Sequence, residues 1–80
     1  MMKRIVYYII QTTTDENQSG IFHYSKPYSD LEKAKVDARK IKNDFVVIEK
    51  HHEYFKGSKY KPEYQWEIDH NFETEIIDFY

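Results

Sequence analysis

The 80-residue chain predicts an α+β domain: an antiparallel sheet of about five strands with one helix packed across one face, in the order strand–strand–helix–strand–strand–strand. Three observations predict it. A single capped, amphipathic stretch lies near residues 29–43. β-Branched and aromatic runs flank it on both sides. The last eighteen residues alternate apolar and acidic side chains with the period of a strand.

The elements follow in order. Arg4 to Gln11, RIVYYIIQ, is apolar on both faces and suits a central strand. TTTDENQSG, residues 12–20, is a polar turn. Ile21 to Ser25 reads as the hairpin partner of the first strand, ended by Pro27. In Ser29-Asp-Leu-Glu32 the spacing is that of a capping box, with Ser29 as the N-cap. Leu31, Ala34, Ala38 and Ile41 then form one stripe, Val36 falls opposite, and Asn43 is the expected C-cap. Phe45 to Ile48 opens a third strand that can continue to Phe55. After a turn around Gly57-Ser58 and Lys61-Pro62, Tyr64, Trp66 and Ile68 alternate with Gln65, Glu67 and Asp69. Thr74 to Phe79 is the last strand, read as an edge guarded by its acids. One helix cannot cover five strands, so part of the sheet stays open, is filled by aromatics, or meets another chain, a second copy included.

Size and composition narrow the function. Residues 1–80 are read as one domain, near the lower limit of what folds alone. The absence of Cys excludes disulfides and thiolate metal sites and fits a reducing cytosol. The longest apolar run, Ile5 to Ile10, is too short to cross a bilayer. Lys3-Arg4 before it lacks the length and cleavage site of a signal peptide, so a cytoplasmic protein is expected. One Trp, five Phe and eight Tyr exceed what so thin a core can hide. The surplus favours a binding surface, against the plainer reading that Tyr suits strands. On that packing argument Trp66→Ala is expected to cost on the order of 3–5 kcal/mol.

Chemistry finds little purchase. Glu49, His51 and Glu53 share one strand face, with His52 on the other, and His23 or His70 would complete a metal site. No helical His pair accompanies them, and a solvated strand explains them as well; no metal or cofactor is expected. Ser19, Ser25, Ser29 and Ser58 sit in turn or cap contexts. Two glycines cannot make a phosphate-cradling loop. Glu67 and Asp69 lack a pocket to tune them. The chain is therefore read as a non-enzyme.

Charge carries more information. The net charge is −2, but residues 1–62 hold twelve bases and eight acids, and residues 63–80 hold six acids and no base. Lys35, Arg39 and Lys42 on the helix, with Lys56, Lys59 and Lys61 among Phe55, Tyr60 and Tyr64, form an alternative nucleic-acid surface. A pI near 6.0 argues against it. The favoured surface is the acidic, aromatic C-terminus: Tyr64, Glu67, Asp69, Phe72, Glu73, Glu75, Asp78 and Tyr80, facing a basic protein partner. If the last two strands pair with each other, their acids gather on one face. Reversing Glu67 and Glu75 to Lys should then leave stability unchanged or slightly raised.

The segment YSDLEKAKVDARKIKNDFVVIEK, residues 28–50, in a short, Cys-free chain rich in Lys, Ile, Tyr and Asn, resembles the small accessory proteins of phages and mobile elements from AT-rich bacterial genomes. The resemblance implies binding to a host protein. Several proteins of that type disable a host defence nuclease through an acidic surface that imitates DNA phosphates. No motif matches, so no functional residue is carried over from it.

Overall fold

The computed structural model describes residues 2–12, 22–42, 45–57 and 65–79. Two long strands, β1 (Lys3–Thr12) and β3 (Phe45–Phe55), pair antiparallel over ten positions, from Lys3 opposite Tyr54 to Thr12 opposite Phe45. β2 (Phe22–Tyr24) lies outside β1. β4 (Trp66–Ile68) and β5 (Glu75–Ile77) both pair with the remaining edge of β3. With the helix α1 (Leu31–Arg39), these complete the expected α+β architecture among the described residues.

The helix face of the sheet is set by the strand period. Ile9 of β1 stands opposite Ile48 of β3, and Ile48 opposite Ile77 of β5. Ala34 and Ala38 sit directly on this row, so the small side chains let the helix lie close, and Ala34, Ala38 and Ile48 are essentially excluded from solvent. Leu31 and Ile41 close the ends of the stripe and are half-buried, while Val36 points outward and is exposed. Tyr28 ties the helix down, donating its hydroxyl to Asp37 at 2.7 Å while its ring packs on the core.

Two local details differ from the sequence reading. The N-cap is Asp30, one residue later than Ser29; its carboxylate accepts from the Glu32 N–H at 3.0 Å. Both residues are good caps, and the extended backbone at Asp30 decides between them. The C-cap is Lys40, and Asn43 lies outside the described residues. β2 itself ends at Tyr24, before Pro27, and the chain bridges back to β1 at Tyr28. Ile10 faces Tyr24 and Tyr7 faces Tyr28, so three residues, 25–27, span two of β1. This is a bulge. Within it the Ser25 hydroxyl accepts the Ile9 N–H at 2.9 Å, and Pro27 brings no N–H needing a partner. At the far end of β3, Gly57 has φ +69°, and a Cβ there would press on the Phe55 ring at 3.3 Å.

Candidate functional site

β4 and β5 do not pair with each other, as the gathering of their acids had required. They lie end to end along one edge of β3. Ile68 faces Glu53 and Glu75 faces Lys50, so the six residues 69–74 stand against only His51 and His52 and must loop out. Asp69 organises the excursion. Its N–H donates to the His52 carbonyl at 2.8 Å, its Oδ1 accepts the Asn71 N–H at 3.1 Å, and its carbonyl accepts the Phe72 N–H at 3.1 Å. That turn lays the Phe72 ring flat on His52, with 4.4 Å between centroids and 13° between planes.

The helix covers the sheet only around Tyr7, Ile9, Val46 and Ile48. Ile5 and His52, paired on the same face, lie beyond it. Here an apolar cleft of about 440 Å³ opens between Ile5, His52 and Phe72, with Lys3, Arg4, Glu53 and Asp69 completing its walls. Lys3 Nζ stands 3.4 Å from Asp69 and 5.8 Å from the Phe72 ring centroid. Ile5 and Phe72 each remain close to half exposed.

The acids flanking the cleft are brought to one face, but not as a one-sign cluster. Glu67 faces Tyr54 and accepts both its hydroxyl at 2.8 Å and Lys56 Nζ at 2.7 Å. These two donors, Lys56 first, hold the Glu67 carboxyl below its usual range. Asp69 is likewise held low, mainly by the Asn71 backbone N–H and then by Lys3. Glu75 faces Lys50 at a looser 3.9 Å. Three bases of the earlier chain, Lys3, Lys50 and Lys56, thus meet three acids of the last eighteen residues across β1 and β3. Glu73 and Asp78 are exposed; Tyr64 and Tyr80 lie outside the described residues.

Three bases of the alternative nucleic-acid surface have partners within the chain. Lys35 stands 3.7 Å from Glu32, Arg39 donates to the Phe79 carbonyl at 3.0 Å, and Lys56 is bound to Glu67. Lys42 is exposed, and Lys59 and Lys61 lie outside the described residues.

On the sheet face without the helix, Glu49, His51 and Glu53 do share one side, and each finds a protein partner. Arg4 directs Nε and Nη2 to Glu53 Oε1 at 2.8 and 2.7 Å, and Tyr8 donates to Oε2 at 2.7 Å. His51 Nε2 lies 3.0 Å from Glu49 Oε1, and its ring stacks at a tilt on Tyr8, 4.8 Å away. Glu53 and His51 are only 5% and 6% exposed. Burial, reinforced by the Glu53 carboxylate, pushes the Tyr8 hydroxyl up to about 12. No group of three potential ligands among the described residues is arranged to hold a metal ion. The Arg4–Glu53–Tyr8 network escaped the sequence reading. Its one signal was Arg4 and Tyr8 four apart on a strand, hence on one face; the register that brings Glu53 between them was not in the pattern. Trp66 also lies on this face, not against the helix. It is half-buried, under the Arg4 guanidinium at 4.1 Å and edge-on to Phe55.

Comparison with protein-family models, with curated proteins and with solved structures finds no match for this chain.

Proposed function

We propose that this chain is a non-enzymatic protein-binding module that receives an apolar side chain of a partner in the cleft between Ile5, His52 and Phe72. The carrying observation is the cleft itself: apolar walls, an exposed aromatic ring held by stacking, and charged groups at the margin. Interface hot spots combine an anchor pocket with a polar rim in this way. The exposed Glu73 and Glu75 continue along the same edge and suit a basic partner surface. Among the described residues no helix is long and apolar enough to cross a membrane.

Inhibition of a host defence nuclease, which the resemblance to phage accessory proteins implies, makes such an enzyme the first partner to assay. The test begins with capture of partners from host extract on the tagged full chain, followed by calorimetry on the recovered protein. Phe72→Ala should weaken binding about tenfold or more, as removal of an anchor contact does. Glu73→Lys should mainly slow association at low salt. Binding unaffected by Phe72→Ala would sink the assignment of this cleft.

A further inference from the structure

The face of the sheet without the helix holds a second feature at its opposite end. Phe22 of β2 and Phe45 of β3 flank Thr12 of β1, and one step along Tyr24 and Val47 flank Ile10. Ile76 of β5 stands beside Glu49, and with Phe45 and Val47 it lines a shallow depression of about 330 Å³. Phe22, Tyr24, Phe45 and Ile76 are 62%, 59%, 68% and 70% exposed, while Ile10 beneath them is buried. Large apolar side chains gathered at such exposure are uncommon on a monomer and mark a contact surface.

We infer that this stripe is the interface of a homodimer, in which two copies pack sheet to sheet with their helices outward. The occupant is argued from area and charge. A fully buried ring covers about 150–250 Å², so four side chains at these exposures offer roughly 400–600 Å² per copy. The half-buried Val47 and Thr12 bring the patch towards the ~800 Å² per partner of a specific interface. A two-fold axis places one patch on itself, which tolerates only a surface without concentrated charge of one sign. The stripe itself carries none; Glu49 is half-buried beside the His51 ring and Asp78 is exposed at the border. Face-to-face stacking of two sheets is the standard way to bury such a surface. It also gives the sheet a second cover besides α1. The interface lies on the opposite face from the Phe72 cleft, so the two bind independently.

Sedimentation of the full chain over a wide concentration series tests this. Wild type should show a reversible monomer–dimer equilibrium, and Phe45→Lys should raise its dissociation constant about tenfold or more, because the charge is desolvated in the contact. Phe45 is exposed, so circular dichroism should show an intact fold. The chain has no Cys, so a spin label on Ile76→Cys supplies a second readout: dipolar coupling between the labels of two copies should appear as the dimer forms, and Phe45→Lys in the same chain should suppress it. A wild-type chain that stays monomeric at the highest concentration would overturn the inference, leaving the stripe to a different protein. So would a dimer of undiminished affinity in Phe45→Lys.

Discussion

On the helix side of the β1–β3 pair, Ile9 and Ile48 face each other beneath Ala34 and Ala38, and water is excluded by hydrocarbon alone. On the other side, the register opposes Arg4 to Glu53, Val6 to His51 and Tyr8 to Glu49. There the Glu53 carboxylate is buried by bonding one oxygen to a guanidinium and the other to a phenol. The helix side draws on non-directional apolar burial and answers to volume. The free side depends on hydrogen-bond completeness, so removing one member strands the others. With α1 on one face, the sheet thus buries parts of both faces, by two kinds of chemistry with different sensitivities.

The largest effect should fall on the helix side. Ile48→Ala removes a fully excluded side chain at the centre of the cluster and should cost about 2–5 kcal/mol in denaturant unfolding. A loss well below that range would mean the helix closes over the gap and the core is softer than its packing suggests. Glu53→Ala comes next, at about 2–3 kcal/mol, because Arg4 and Tyr8 lose a charged acceptor. The comparison sharpens in the paired change Arg4→Met with Glu53→Leu, which leaves no charge stranded and should cost clearly less than Glu53→Ala alone. If the pair is the worse of the two, the free face is held by the network's attraction and not merely by its completeness.

Trp66→Ala should cost about 1–2 kcal/mol, from the lost guanidinium and Phe55 contacts, and not the larger loss expected of a core tryptophan. Thermal unfolding would distinguish the two magnitudes. The Tyr8 hydroxyl gives a pH signature. Its pKa rises from 10.0 to about 12 on folding, so the protonated phenol stabilises the fold fully below pH 10, and that contribution is lost as pH rises through 12. Tyr8→Phe should therefore show a shallower stability loss across that alkaline window. Identical slopes for the two proteins would mean Tyr8 titrates as a free phenol.

The smallest effect separates the charge readings. Glu67→Lys removes the acceptor of Tyr54 and Lys56, so stability at neutral pH should fall slightly, opposite to the gain expected of an unpaired acidic cluster. Because folding depresses the Glu67 carboxyl, its contribution is present above the ordinary carboxylate range and lost as pH falls through the lower folded value. The gap between wild type and variant should therefore close in acid. A variant as stable as wild type at neutral pH would restore the view that these acids oppose folding.

What the sequence determined by itself is whatever one element's period can decide. The single amphipathic helix, its Ala34–Ala38 seam, the unbroken third strand and the shared face of Glu49, His51 and Glu53 all follow from spacing along one segment. Only the tertiary structure decided how segments meet. Alternation places Glu67, Asp69 and Glu75 on a side, but it carries no information about what stands opposite. That came from the register of β3, whose length lets β4 and β5 share one edge and sets Lys56, Lys3 and Lys50 within reach of those acids. The physical reason is that a strand's period is local and steric, whereas register is chosen by the whole sheet. The slip that would leave the acids unpaired would also move Ile48 away from Ile9 and Ile77, and the buried row outweighs the exposed charges.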